Sequence, residues 1–526
     1  QALEGSQLER QGNDIVAVVL PSAPAAGQQL RLRMTYGGDV LADAGGGLLY
    51  VGARGIWYPN RGLDMSDFDM NFRYPPEWTL LATGKREGEI HTVQVPGSPA
   101  PMQDAKWVSE RPIPFAGFNL GRYVKAEARA GSTVIESFAA HGMENTFRKP
   151  QTVLVLPGVR PGSGERESVV VSDAPTPASN AQMVANNGAQ AVEFLSQRLG
   201  PFPFSSLHLT QMPGNVSQGW PGLIYLSSYV FLSPEELARL RLQSFGTLMF
   251  GHLMEPHEIG HQWWGDLMLW KSYREQWLVE ALSNYCALAM IEGRDPTDYR
   301  AALDYYRQQL LTKNKSGVEF AQAGPVTLGV RLNSSRFPDA YNTISYGRGT
   351  WLFHMLREML LNPGPAKGAQ AGSATAEPKR GSPDEPFFRV LRKVRQRYEG
   401  REITTRDLQQ AFEEELPPQL WYEGRKSLDW FFDGWVNGIS IPRFELADVK
   451  FRTTATGTVA TGKIIQKDSA EDLVTSLPLY ASSGATNTML GRIFVESAET
   501  PFRFTVPRGT KKILIDPYGT VLRREQ

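Results

Sequence analysis

The sequence predicts an α+β multidomain protein with a β-rich N-terminal part, a mainly helical middle and a small C-terminal β-sandwich. Three observations predict it. Short apolar runs, alternating or continuous and broken by Gly and Pro, occupy residues 14 to about 170. Helical spacing takes over near residue 180 and persists to 414. Short strand-like runs return after Pro442.

In chain order, DIVAVVL (14–20), QLRLRMTY (29–36), DFDMNFRY (67–74) and SVVVSD (168–173) are the expected N-terminal strands. NAQMVANNGAQAVEFLSQRLG has helical spacing and stops at Gly200. Further helices are expected at 245–264, 275–292, 297–313, 346–361, 386–399 and 405–414. Between two of them, 362–386 is rich in Pro, Gly, Ala and Ser. It cannot bury enough apolar surface to order itself and is expected to be a mobile loop. ADVKFRT, TGKIIQK, RIFVES, FRFTV and KKILID then form the sandwich.

The bulk numbers narrow the function. A chain of 526 residues needs about two to four cores. Lys+Arg and Asp+Glu both number 55, a balance that argues against a nucleic-acid partner. The single cysteine, Cys286, excludes an intramolecular disulfide and a cysteine-rich metal site. No apolar run is long enough to span a bilayer. The chain begins at Gln1 rather than Met and is read as a trimmed piece of a longer protein, so a lost targeting segment is compatible with it.

Three of the seven histidines, His252, His257 and His261, fall within ten residues, in the stretch GHLMEPHEIGH. Positions i and i+4 share a helix face, so His257 and His261 can direct two imidazoles at one point, with Glu258 on the flank as a general base. A bare His-Glu-x-x-His also arises by chance. Zinc needs a third protein ligand, and Glu280 in QWLVEALSNY stands on the next expected helix. A solvated helix residue is the bland alternative for Glu280, but Trp277, Leu278, Ala281, Leu282 and Tyr285 make its surroundings apolar. His252 reads as a packing or surface residue. Pro256 removes a backbone donor just before His257, so the helix either starts there or kinks.

HEIGHQWWGD, a gap of 18 residues from His261 to Glu280, and WLVEALSNY resemble the gluzincin aminopeptidases, the group of membrane alanyl aminopeptidase and leukotriene hydrolase. GPFPFSSLHL, TISYGRGTWLFHML and FFDGWVNGISIP resemble further segments of the same family. The resemblance implies a partial β-domain at 1–172, a thermolysin-like catalytic domain at 173–441 and a sandwich at 442–526. It implies one zinc per chain held by His257, His261 and Glu280. Glu258 would be the base, Tyr346 a hydrogen-bond donor to the oxyanion, and the substrate a peptide or protein. Asp266 and Asn284 are candidate partners for the ligating histidines.

The chain departs from the family where the substrate's amine is bound. Members carry Gly-Ala-Met-Glu-Asn before Trp-Gly-Leu-Ile, and that glutamate binds the α-ammonium. The matching stretch is VSQGWPGLIY, with Gly219 at the glutamate position, Trp220 at the asparagine position and Gly222 beyond. This stretch is expected to offer a strand edge and an aromatic wall to an extended peptide. GMEN at 142–145 lies too far upstream and is a coincidence. Between Leu48 and Asn60 there is no acidic residue to serve as a second anchor. An unpartnered buried ammonium is costly, so internal cleavage or acceptance of blocked peptides is expected, unless Glu255 or Glu275 compensates. Two other readings stand beside the peptidase: a zinc hydrolase of a non-peptide substrate, and a non-catalytic scaffold. A scaffold has no reason to keep Glu258, which binds no metal. The resemblance leans towards an extracytoplasmic, envelope-associated bacterial location. Nothing in the sequence specifies the oligomeric state.

Overall fold

The computed structural model of the chain describes residues 17–51, 57–60, 62–147, 175–365, 380–454, 457–484 and 486–525, together with the antiparallel strand pair Thr152–Val155 and Ser168–Val171. It has the expected α+β, three-part architecture. The expected loop 362–386 lies largely outside the described residues, as do 14–16, 52–56 and 172–173.

In the N-terminal part a four-stranded and a three-stranded sheet enclose an aromatic-rich core that includes Trp107, Phe118 and Tyr74. The expected strand 67–74 is present as Asp69–Tyr74. The expected strand 29–36 is not. Leu30, Leu32, Met34 and Tyr36 are all exposed, and among the described residues no strand pairs with them. Alternation marks a face that could pack, but a strand forms only where a neighbour completes the ladder.

A five-stranded sheet supports the site. Its order is Gln218–Trp220, Leu223–Ser227, Ser206–Met212, Thr133–Ala140, Tyr123–Ala130. The three inner strands run parallel, and Gln218–Trp220 lies antiparallel on the outside edge. This sheet joins strands from before and after residue 172. Helix Ala181–Leu199 packs its buried face, including Val184, Val192 and Leu195, on the sheet and ends where Gly200 turns the chain at φ 101°.

The expected helix 245–264 is a continuous helical run from Ser244 to Gly260 with a π turn at Met249–Leu253. Pro256 therefore neither starts the helix nor breaks it. In a regular α-helix its ring would meet the carbonyl four residues back. The π turn directly upstream opens the backbone at that place. A second π turn, Asn342–Arg348, carries Tyr346 into helix Gly349–Leu361. No helix among the described residues is long and apolar enough to cross a membrane.

At the C-terminal end, two three-stranded antiparallel sheets pack as a sandwich. One of their strands, Thr475–Ser482, was invisible in the sequence. Every residue in it is buried, so polar–apolar alternation is missing, and Pro478 reads as a breaker. One core runs from the helices into this sandwich, and Arg348, fully buried, ties the two together. Its guanidinium donates to the carbonyls of Trp435 (3.0 Å) and Ile439 (3.2 Å).

Candidate metal centre and substrate cleft

The helix Met254–Gly260 carries His257 and is capped by His261, and the helix Gln276–Arg294 packed against it brings Glu280 to the same point. His257, His261 and Glu280 offer ligand atoms that all lie within 4.8 Å of one another. His257 Nε2 and His261 Nε2 are 3.1 Å apart, and Glu280 Oε2 stands 3.7 and 3.4 Å from them. His252 is exposed on the surface.

The surroundings orient this cluster. His261 Nδ1 donates to the Trp264 carbonyl at 2.9 Å, with Ser283 Oγ at 3.2 Å, so in the neutral imidazole that a metal would require, Nε2 is the lone-pair nitrogen. The acceptor is a backbone carbonyl supplied by the HQWWGD turn, which sequence could not single out from Asp266 and Asn284. Asp266 accepts from Gln262 Nε2 instead, at 2.8 Å, whereas Asn284, which donates to Tyr306 and Thr350, also stands beside His257 as expected. Trp263 anchors the turn by donating to the Gly200 carbonyl at 3.2 Å, and its ring packs on Phe202 of the GPFPF segment.

The electrostatics suit a cation. Burial lowers the proton affinity of both imidazoles. Glu280 outweighs it at His261, which is raised, while the neighbouring His261 charge adds to the lowering at His257. Burial would raise the Glu280 carboxyl, but the histidines hold it well below the usual carboxylate range. Glu280 Oε2 is fully buried and accepts no hydrogen bond. Two imidazole nitrogens and an orphaned carboxylate oxygen, with no thiolate, form a donor set that fits zinc.

Glu258 and Tyr346 lie beside the cluster. The Tyr346 ring is 5.6 Å from that of His257, and burial followed by the Glu280 charge keeps its hydroxyl protonated. The two residues, with Ser217, line cavities on both sides of the cluster. One of about 220 Å3 reaches the N-terminal part at Asn60, Leu63 and Phe115. The other, of about 450 Å3, runs towards Phe245 and Tyr305.

The edge strand Gln218–Trp220 borders the first cavity. Gly219 faces the cluster so closely that a Cβ there would stand 3.1 Å from His261 Cβ and 3.3 Å from the Glu258 carbonyl. Trp220 is 2% exposed and packs edge-on against Phe115, so it acts as a wall embedded in the N-terminal core. Gly222 sits in the turn behind the strand at φ 72°, its N–H bound by Gln262. Gln262 was missed by sequence reasoning, although it stands inside HEIGHQWWGD. It accepts from Gly222 N–H at 2.8 Å and donates to the Trp220 carbonyl at 3.0 Å, so it fastens the edge strand to the histidine helix.

The two acids expected as compensating amine anchors face elsewhere. Glu255 points at Gly188 of helix Ala181–Leu199, and Glu275 accepts from Ser272 Oγ at 2.6 Å. Glu144 of the GMEN stretch is buried and holds the Gly214 N–H (2.9 Å) and the Ser228 hydroxyl (2.6 Å).

This arrangement, a helical domain with a His-x-x-x-His helix, a following glutamate helix and flanking β-parts, is the one expected from the sequence's resemblance to gluzincin aminopeptidases. Residues 251–371 match the Peptidase family M1 domain. It is 28% identical to aminopeptidase N of Lactococcus lactis subsp. lactis over 179 residues, 32% of this chain and 19% of the relative. With human aminopeptidase O it shares 23% identity over 270 residues, 47% of this chain and 28% of the relative. A crystal structure of Legionella pneumophila aminopeptidase A in complex with aspartic acid superposes with a TM-score of 0.60 at 15% identity, over 92% of this chain and 48% of that one. The chain thus spans between a fifth and a half of the length of these proteins.

Proposed function

We propose that the protein is a zinc-dependent metallopeptidase, aminopeptidase-like in its machinery but altered in how it recognises a substrate's N-terminus. The observation that carries this reading is the convergence of His257, His261 and Glu280 beside Glu258 and Tyr346, between two substrate-sized cavities. The three residues would hold one zinc ion, which supplies a Lewis acid to polarise a carbonyl and acidify a water. Glu258 takes the proton of the attacking water and returns it to the leaving amine. Tyr346 donates a hydrogen bond to the carbonyl oxygen as negative charge develops on it, a role typically worth about 3–4 kcal/mol. The edge strand Gln218–Trp220 lies alongside the peptide and orients it through main-chain hydrogen bonds.

Altered N-terminus recognition follows from the acids that line the cleft. Among the described residues the first cavity has Glu258, Glu280 and Asp266, and the last is bound to Gln262. No carboxylate stands at Gly219. A substrate with a blocked N-terminus loses nothing in such a cleft.

The test is a peptide series with free and acetylated N-termini, read by mass spectrometry, with zinc content measured in parallel. Acetylated peptides are expected to be cut as well as free ones, and Glu258→Gln to retain zinc while losing about 100- to 10,000-fold in turnover. Loss of the first residue from free peptides only would show an ordinary aminopeptidase. Zinc binding without cleavage of any peptide would favour a non-peptide substrate or a scaffold.

A further inference from the structure

The second cavity, on the far side of Glu258 from the N-terminal part, has a chemistry of its own. Phe245 and Tyr305 stack with centroids 3.7 Å apart and planes 6° from parallel, and Tyr306 meets Phe245 edge-on at 5.4 Å. Gln309 and Asn342 also line the space. Asp339 lies on its rim. It is exposed, and its carboxylate forms no ion pair with any described residue. Neither Lys nor Arg is among the described residues that line the cavity, although the chain holds 55 of them and as many acids. Among the described residues both cavities beside the reacting centre lack Lys and Arg side chains, and this one adds the aromatic surface and the exposed carboxylate of Asp339.

We propose that this cavity binds a cationic side chain of the substrate, an ammonium or guanidinium, and that Asp339 is its specificity-determining residue. The proposal rests on the peptidase reading and deepens it to a substrate class. A lysine or arginine has an aliphatic stem that covers the Phe245–Tyr305 surface while its charge reaches the polar rim. Aromatic faces attract a cation electrostatically, Asp339 adds a solvent-screened Coulomb attraction, and the amide oxygens of Gln309 and Asn342 can accept the remaining N–H groups. A purely apolar residue would fill the aromatic part but gain nothing from Asp339. Because the carboxylate is exposed, the preference is modest.

The experiment uses the zinc-loaded protein and acetylated peptides that differ at one residue beside the scissile bond: lysine against norleucine, and arginine against citrulline. The charged member is expected to be cleaved with a kcat/KM about 5- to 30-fold higher at one of the two flanking positions. The difference lies in KM and shrinks as salt rises. Asp339→Asn should cut the difference at least about twofold, by lowering kcat/KM for the charged peptides more than for their neutral counterparts, and the aromatic share of the preference remains.

The same comparison is made by equilibrium binding to zinc-loaded Glu258→Gln protein, which reads cation preference without turnover. Equal affinity for lysine and norleucine peptides overturns the proposal, as does an Asp339→Asn effect of the same size on both. An Asp339→Asn loss that is equal for the free lysine and norleucine peptides and absent from the acetylated ones assigns Asp339 to the α-ammonium and likewise overturns it. Preferential binding of the charged peptides with no cleavage by the wild-type protein would uphold the cavity and sink the peptidase reading instead.

Discussion

Gly219 is the residue at which geometry constrains this site most narrowly. Its missing side chain is what lets the edge strand approach the histidine helix, because any Cβ would sit 3.1 Å from His261 Cβ and 3.6 Å from Glu258 Oε2. Gly219→Ala should therefore press on the general base and on a ligand at once. We expect a loss of at least about tenfold in kcat/KM and of about 1–3 kcal/mol in stability, the usual cost of overpacking. Gly219→Glu should fare worse and not create an amine anchor. A stable Gly219→Glu protein that prefers free N-termini, measured by denaturant unfolding and peptide cleavage, would falsify this account of the position.

At the scale of elements, the edge strand is fastened at both ends by buried polar groups. Gln262 holds Trp220 and Gly222 to the histidine helix. Upstream, Glu144 holds Gly214, and Ser227 N–H donates to Ser217 Oγ at 2.9 Å. Gln262→Ala removes the partners of a buried N–H and a buried carbonyl, which costs about 1–3 kcal/mol per unsatisfied group. The loosened strand should raise KM more than it lowers kcat, because the residue orders the strand and touches none of the reacting atoms. Thermal unfolding with steady-state kinetics checks both parts, and an unchanged KM would show that the strand does not bind substrate.

For the whole molecule, buried ion pairs join the helices to each other and frame the approach to the C-terminal sandwich. Arg357, fully buried, pairs with Glu385 at 2.5 Å and with Glu292 at 2.8 Å, and Arg380 pairs with Glu358. Burial alone would raise the Glu358 carboxyl, but the Arg380 hydrogen bond and neighbouring positive charges bring it down to about 2. Glu136 is likewise held at about 2, first by its bond to His208. A carboxylate depressed in the folded state stabilises the fold at pH values above its unfolded pKa, here the ordinary 4.5. That stability drains away as pH falls towards 2. The urea midpoint should thus drop between pH 5 and pH 2, and more shallowly in Glu358→Gln. Arg357→Ala, which removes the partner of the fully buried Glu385 and leaves the half-buried Glu292 with Arg380 alone, should cost about 3–5 kcal/mol, whereas Arg406→Ala at its exposed pair with Asp429 should cost less than about 1 kcal/mol.

What the sequence determined by itself was local. The i and i+4 spacing of His257 and His261, the helix that carries Glu280, and the helices at 181–199 and 405–414 all follow from periodicity and stop signals within one segment. The alternating strands of the sandwich were legible for the same reason. Tertiary structure decided whatever depends on a neighbour distant in the chain. Residues 29–36 have the alternation of a strand but no partner, and Thr475–Ser482 is a strand without alternation because both its faces are buried. The Trp264 carbonyl behind His261, the hold of Gln262 on the edge strand and the place of Asp339 on an aromatic cavity leave no periodic trace. A hydrogen bond or a cavity wall is set by which surfaces meet, and that is fixed only when the whole chain packs.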